Sequence, residues 1–129
     1  VVVRELLEHG FSEEDIIFVG ITEIDHDEKE FLENHDFTIY RSGRVSEFLE
    51  TASFEGPIYL SVDIDVLRKE EAPGTGYRDG DLGLDQVLEV IESVNPDYAD
   101  LVEVAPSLDR ENITAENSRK ILKQLVEHV

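Results

Sequence analysis

Two aspartates separated by one residue are the strongest candidates for chemistry. Asp63 ends the apolar run Ile-Tyr-Leu-Ser-Val-Asp at residues 58–63, and Asp65 follows two positions later. Residues two apart in an extended chain point to the same side, so the two carboxylates are expected to lie close together. Their repulsion, which burial increases, requires a proton or a cation, and carboxylate oxygens suit Mn²⁺ or Mg²⁺. The alternative is that Asp65 has left the strand and caps a turn in solvent.

A glycine-rich turn follows the aspartates. Residues 71–76 read Glu-Ala-Pro-Gly-Thr-Gly, beginning just past the proposed site. Gly74 and Gly76 allow backbone conformations that are closed to other residues, and Pro73 fixes the approach of the chain. Any surface loop can have this composition. Its position soon after Asp65 is what makes it informative.

A third acidic residue interrupts an apolar pattern further along the chain. Glu103 lies in Leu-Val-Glu-Val at residues 101–104. A lone glutamate in a strand often faces solvent. At the same sheet edge as the aspartates, however, it could bind a cationic group, and the planar fork of a guanidinium matches a carboxylate well.

The chain must position these residues with alternating helices and strands. Helices are predicted at residues 1–9, 25–35, 45–52, 84–94 and from an N-cap at Thr114 to the end; strands are predicted at residues 16–21, 37–40, 58–63 and 98–105. Strands separated by helices imply right-handed crossovers and a parallel sheet with helices on both faces. Ligands bind beyond the carboxyl ends of such strands, where Asp63, Asp65 and Glu103 lie.

The apolar pattern also predicts which side chains are buried. The strand at 16–21 is a continuous β-branched run and is expected to be buried on both faces. Two helical faces are expected inside, one made by Val45, Phe48, Leu49 and Ala52 and the other by Ile121, Leu122, Leu125 and Val126. The four histidines (His9, His26, His35 and His128) have no metal-ligand spacing and are expected at the surface or as caps.

Composition excludes several functional classes. The 129 residues include 31 acidic and 11 basic side chains, a net charge of −20, which argues against a nucleic-acid partner. The absence of cysteine excludes disulfides and thiolate chemistry. The 40% of apolar residues is too high for a disordered acidic tail. No stretch approaches the roughly 20 apolar residues of a membrane span, and no leader pattern is seen, so a cytoplasmic protein without a membrane partner is expected.

Several segments resemble the ureohydrolase family, which includes arginases and agmatinases. They are Ser-Val-Asp-Ile-Asp-Val-Leu at 61–67, Ala-Pro-Gly-Thr-Gly at 72–76 and Val-Glu-Val-Ala-Pro at 102–106. The stretch Asp-Arg-Glu-Asn-Ile-Thr-Ala at 109–115 is similar to the family's Asp-x-x-x-x-Thr segment before the last helix. The resemblance covers nearly the whole chain.

This resemblance implies a fold and an activity. The fold is α/β, a three-layer α/β/α sandwich with a mainly parallel sheet, of which this chain would be the C-terminal half. The activity is hydrolysis of a guanidino or amidino substrate, such as agmatine or arginine, to urea and an amine by hydroxide that two Mn²⁺ ions generate. By matching positions, Asp63 and Asp65 would be metal ligands and Glu103 would hold the guanidinium. A homo-oligomer is expected, as is common in the family.

The sequence departs from the family pattern around the substrate pocket. Residues 68–69 are Arg-Lys where Asp-Pro is usual, residues 77–83 replace the expected Thr-Pro and paired glycines, and Ala105 replaces an asparagine. The Gly-Gly-Asp-His and Asp-Ala-His-x-Asp segments, which carry most other metal ligands, are missing. Two aspartates are too few for a two-metal cage. Residues 1–129 are therefore expected to be one α/β unit, the C-terminal portion of a larger ureohydrolase domain, inactive alone and with an exposed sheet edge that favours self-association.

Two alternatives stay open. The substitutions after Asp65 are what a diverged, non-catalytic assembly or regulatory domain of the same fold would have. The Asp-x-Asp after an apolar strand also resembles the nucleophile motif of haloacid-dehalogenase-like phosphatases, which use one aspartate as nucleophile and the other as acid and base with Mg²⁺. That family carries the motif on an early strand, whereas here it follows the third, and Lys120 and Lys123 lack the accompanying acidic pair.

Overall fold

Helices and strands alternate along the chain in the predicted order. The computed structural model describes residues 2–22, 26–76 and 80–128. The helices are α1 (Val2–Glu8), α2 (His26–Glu33), α3 (Val45–Thr51), α4 (Leu84–Val94) and α5 (Ile113–His128). The strands are β1 (Ile17–Ile21), β2 (Thr38–Arg41), β3 (Tyr59–Asp63) and β4 (Tyr98–Val102). Residues 1, 25 and 129, predicted as helical, and residues 77–79 of the pocket loop lie outside the described ranges.

The strands pair in parallel. β1 pairs with β2 and β3 pairs with β4, which confirms the predicted α/β class with parallel strands. Within the described residues the strands form two two-stranded sheets, not one continuous ladder. One face of the β3–β4 sheet is open to solvent, since Tyr59 is 64% exposed and Tyr98 is 62% exposed.

The burial predicted for β1 is wrong. Ile17 is 37% exposed, and Gly20 is the one buried residue of this strand. Among the described residues, β1 has a hydrogen-bonded neighbour, β2, on one side only. An apolar run of this kind is buried on both faces when it lies in the middle of a wider sheet.

Helix α4 shows how the sequence sets both the ends and the buried face of an element. The backbone N–H of Gly83 donates to Oε1 of Gln86 at 2.9 Å, which satisfies one donor at the helix start. Asn95 ends the helix in a left-handed conformation, with φ of 48°, and a proline follows. The buried stripe has helical spacing and consists of Val87, Val90, Ile91 and Val94.

The predicted buried face is confirmed for α3 and partly wrong for α5. In α3, Val45 and Phe48 are buried, while Leu49 and Ala52 pack against the same core. In α5 the buried residues are Thr114, Ser118, Ile121 and Leu125, whereas Leu122 is 48% exposed and Val126 is 75% exposed. Each exposed leucine or valine lies one position beyond a core residue, which rotates it by about 100° away from the core. None of the helices, as far as the chain is described, is long and apolar enough to cross a membrane.

Candidate functional site

The two aspartates lie at the end of β3, but a turn and not an extended strand brings them together. Asp63 is the last residue of β3, and Ile64–Val66 forms a 3-10 turn. Oδ1 of Asp63 accepts the backbone N–H of Asp65 at 3.1 Å. The expectation that both side chains share one face of a strand is therefore wrong. Asp65 has left the strand, as the alternative proposed, yet both residues are half-buried, not free in solvent.

Buried apolar residues anchor the 3-10 turn in the core. Ile64 and Leu67 are fully buried, so the half-buried aspartates alternate with core residues. The segment containing Leu82 covers the turn, since Leu82 N–H donates to the carbonyl of Val66 at 3.1 Å and Leu82 O accepts Arg68 N–H at 2.9 Å. The backbone that carries Asp65 is thus held on two sides.

Gly80 makes a close backbone approach that sequence reasoning missed. A Cβ on this residue would lie 2.2 Å from the carbonyl oxygen of Asp65 and 2.2 Å from that of Leu67. Only glycine fits there without a shift of the turn. The only signal in the sequence was a glycine within a segment that departs from the family pattern.

The turn at residues 71–76 follows this site in the chain and is buried at its centre. Pro73, Gly74 and Thr75 are all buried. Glycine allows backbone conformations that are closed to other residues, but neither Gly74 nor Gly76 has a positive φ. Gly74 is required for packing instead, since a Cβ there would lie 2.9 Å from Oγ1 of Thr114. Around Gly76 a Cβ would meet nothing within 4 Å.

Glu103 lies one residue past β4, not inside it. Its φ is 70°, a left-handed value that a strand cannot continue through, and this is why β4 ends at Val102 instead of at the predicted residue 105. The side chain of Glu103 is exposed. A left-handed glutamate is uncommon and costs about 1–2 kcal/mol relative to a right-handed one, so the fold must impose it.

The strand register brings the three acidic residues to one edge. Asp63 is the register partner of Val102 in the β3–β4 ladder. Glu103 therefore follows directly after the residue opposite Asp63, on a strand about 4.8 Å away. Asp63, Asp65 and Glu103 all lie at the carboxyl ends of parallel strands, where the α/β rule expects a ligand.

Asp63 and Asp65 offer the kind of donor that a metal site uses. Their carboxylate oxygens match the preference of Mn²⁺, and the two residues lie at the start and in the middle of one 3-10 turn. Across the described part of the chain, no group of three or more histidine, cysteine, aspartate or glutamate side chains could hold a metal ion. The donor chemistry fits, but the coordination shell needs further ligands.

The histidines do not add to this site. His9 donates from Nδ1 to the carbonyl of Glu5 at 2.8 Å, a capping role as predicted. Nδ1 of His35 lies 2.6 Å from Oε1 of Glu13, and this hydrogen bond lowers the pKa of Glu13. The side chains of His26 and His128 lie outside the described part of the structure.

The start of α5 differs from the prediction that Thr114 is its N-cap. Thr114 lies inside the helix, and the carboxylate of Asp109 receives the backbone N–H groups of Thr114 at 2.9 Å and Ala115 at 3.0 Å. Arg110 N–H donates to the same carboxylate at 2.8 Å. Desolvation raises the pKa of Asp109, but these bonds and the Thr114 hydroxyl outweigh it and lower the pKa to about 2.

Comparison with known proteins identifies relatives over nearly the whole chain. The chain matches the Arginase family over residues 1–127. It is 30% identical to an arginase of Staphylococcus aureus (strain MRSA252), with 89% of this chain and 44% of that protein aligned. It is 42% identical to an agmatinase of Bacillus subtilis (strain 168), with 54% of this chain and 26% of that protein aligned.

The fold has a close counterpart among solved structures. A crystal structure of a hypothetical agmatinase from Burkholderia thailandensis superposes with a TM-score of 0.82 at 27% identity, covering 98% of this chain and 42% of that one. This agreement confirms the predicted arginase-like α/β fold. The chain spans less than half the length of these relatives, 44% in the case of the S. aureus arginase.

Proposed function

This chain belongs to the Arginase family, and we propose that it is the C-terminal portion of a metal-dependent ureohydrolase. The complete enzyme would cleave a guanidino or amidino substrate, such as agmatine or arginine, to urea and an amine. The observation that carries the proposal is the β3–β4 register, which aligns Asp63 with the residue before Glu103. The family match favours this function over the phosphatase alternative.

In this proposal Asp63 and Asp65 hold Mn²⁺ and Glu103 binds the substrate. When bound, Mn²⁺ would supply a nucleophile near neutral pH, because a coordinated metal ion lowers the pKa of water. The aspartates contribute oxygen donors from a turn that buried Ile64 keeps in place. The exposed carboxylate of Glu103 accepts the guanidinium through paired charge-assisted hydrogen bonds.

The charge of the chain supports a cationic substrate. With a net charge of −20, its field attracts positively charged small molecules and speeds their encounter with an acidic edge. Agmatine and arginine both present a guanidinium to such an edge.

We propose that the other metal ligands lie outside residues 1–129. Two aspartates give too few donors for a two-metal site, and the described residues contain no group of three metal-ligating side chains that could hold an ion. In this proposal residues 1–129 form one unit of a larger domain and are inactive alone. The open face of the β3–β4 sheet, with Tyr59 at 64% and Tyr98 at 62% exposure, supports this view, because parallel sheets are normally covered on both faces. We propose a cytoplasmic homo-oligomer for the complete protein.

A non-catalytic assembly or regulatory domain is the second candidate. The observation that favours it is the lack of a third metal-ligating side chain near the aspartates among the described residues. It predicts that the complete protein neither binds Mn²⁺ at this edge nor releases urea.

Urea release from the complete protein distinguishes the two functions. The Mn²⁺-loaded protein should be screened with arginine, agmatine, guanidinobutyrate and formiminoglutamate, with urea or formamide as the product measured. Glu103→Gln should raise KM for the active compound by about tenfold or more while Mn²⁺ affinity is unchanged, since one charged hydrogen bond contributes roughly 1.5–3 kcal/mol. Glu111→Gln is the matched control, because Glu111 is also exposed and left-handed, with φ of 54°.

An equal loss of Mn²⁺ affinity in Glu103→Gln would show that its role is misassigned. The absence of product with every compound, for a protein that is folded and loaded with Mn²⁺, would contradict the ureohydrolase proposal.

A further inference from the structure

The Asp109-to-Thr114 segment does more than start the last helix. The hydroxyl of Thr114, which is fully buried, accepts the backbone N–H of Gly74 at 2.7 Å. The backbone N–H of the same residue donates to the carboxylate of Asp109 at 2.9 Å. Thr114 thus bonds to Gly74 through its hydroxyl and to Asp109 through its backbone. The start of α5 is therefore bonded to the turn that follows the aspartates.

The hydrogen-bond chain continues from Gly74 to the strand end that carries Glu103. The carbonyl of Gly74 accepts the backbone N–H of Ala105 at 2.7 Å. The N–H of Gly74 therefore bonds to α5, and its carbonyl bonds to the segment after β4. We call the chain Asp109–Thr114–Gly74–Ala105 the clamp.

Glu103 lies between two fixed points because of this clamp. On its N-terminal side, Val102 is held in the β3–β4 ladder opposite Asp63. On its C-terminal side, Ala105 is held by Gly74. A residue with φ of 70° relaxes when its flanking backbone is released, so both attachments are needed to keep the left-handed conformation.

A second contact brings α5 to the same turn. Nδ2 of Asn117 donates to the carbonyl of Glu71 at 2.7 Å, and Oε2 of Glu71 accepts the backbone N–H of Leu84 at 2.6 Å. The turn is thereby attached to the beginnings of both α5 and α4. Its close packing leaves no space for a Cβ on Gly74, which would lie 3.0 Å from Cβ of Asp109.

We infer that Asp109 and Thr114 are positioning residues that hold Glu103 in its substrate-binding conformation through Gly74 and Ala105. This inference rests on the proposed function, in which Glu103 binds the guanidinium. It assigns to the start of α5 a role in substrate affinity that acts through the backbone at Glu103. A purely structural cap would stabilise α5 without changing the backbone at Glu103.

Thr114→Val tests the clamp in the complete protein. Valine keeps the shape of threonine but leaves the buried N–H of Gly74 without its acceptor. Losing this hydrogen bond is enough to shift the equilibrium between the clamped and the released backbone by about tenfold. KM for the guanidino substrate should rise about tenfold, while kcat changes less than about threefold and Mn²⁺ affinity is unchanged. Thr114→Ser, which keeps the hydroxyl, should restore KM. Thr51→Val is the control, because the Thr51 hydroxyl donates to Glu47 O of its own helix at 2.8 Å and so stabilises a turn of α3.

Amide hydrogen exchange tests the same clamp without substrate. In Thr114→Val, exchange at Gly74 and Ala105 should accelerate by about tenfold or more, while the β4 amides keep their protection. If Thr114→Val does not fold, Asp109→Asn provides the second variant, with a smaller acceleration expected at the same two amides. Faster exchange at Ala105 supports the clamp even if the wild-type protein releases no urea, an outcome that would contradict the proposed function alone.

An unchanged KM in folded Thr114→Val, or faster exchange at Gly74 with none at Ala105, would overturn the inference. A rise in KM that Thr114→Ser does not reverse would overturn it too.

Discussion

Gly80→Ala is expected to distort the turn that carries Asp65. A Cβ on Gly80 would lie 2.2 Å from two backbone oxygens, those of Asp65 and Leu67. Real Cβ contacts essentially never fall below 3.0 Å, so one of the two backbone segments must retreat by at least 0.8 Å. Because the partners are backbone atoms, no side-chain rotation can relieve the clash. Overpacking of this kind costs about 1–3 kcal/mol in the free energy of unfolding.

The displacement should also weaken metal binding. Moving the turn that carries a metal ligand should have an effect similar to removing a residue that supports the ligands of a metal site. Such a removal lowers metal affinity by about 10–100-fold. Urea denaturation gives the free energy of unfolding, and calorimetric titration of the complete protein gives Mn²⁺ affinity. Gly43→Ala is the matched control, since a Cβ on Gly43 meets nothing within 4 Å. The reasoning is refuted if Gly80→Ala matches Gly43→Ala in both stability and Mn²⁺ affinity.

Two further predictions concern Asp109 and Glu103. The pKa of Asp109 is lowered from 3.8 to about 2 in the folded protein, so its contribution to stability is full above pH 3.8 and is lost as the pH falls through about 2. Asp109→Asn should lose less stability than the wild type over that interval in denaturation followed by circular dichroism; an equal loss would contradict the assignment. Glu103→Gly should leave stability unchanged or raise it by up to about 1 kcal/mol, because glycine tolerates a left-handed φ, while substrate KM rises. Glu111→Gly should match it in stability without affecting KM, and a loss of stability specific to Glu103→Gly would refute the strain argument.

The alternation of helices and strands could be predicted because its causes are local. The apolar run at residues 58–63, which contains β3, and the helical spacing of valine and isoleucine in α4 carry their own signals. The end of β4 could not be predicted, because the left-handed φ of Glu103 depends on a bond between Ala105 and Gly74, about thirty residues apart in sequence.

The sequence allows the residues of a candidate site to be proposed, but it does not give their local geometry. Asp63 and Asp65 were chosen for a shared strand face, whereas a hydrogen bond from the Asp65 backbone to the Asp63 carboxylate folds them into a turn. The position of Thr114 predicts that it caps α5. The cap is instead the carboxylate of Asp109, which lies before the helix and accepts the backbone N–H of Thr114. Burial of Leu122 was predicted because apolar type alone does not say which side of α5 faces the core.

Calorimetric titration of Mn²⁺ into the complete protein tests the central claim most directly. The wild-type protein should bind Mn²⁺, and replacing Asp63 and Asp65 together with alanine should abolish binding. Alanine at Asp36, an exposed aspartate that lies before the start of β2 and not at the carboxyl end of a strand, should leave the affinity unchanged. Unchanged Mn²⁺ affinity in the Asp63→Ala, Asp65→Ala protein would contradict the account.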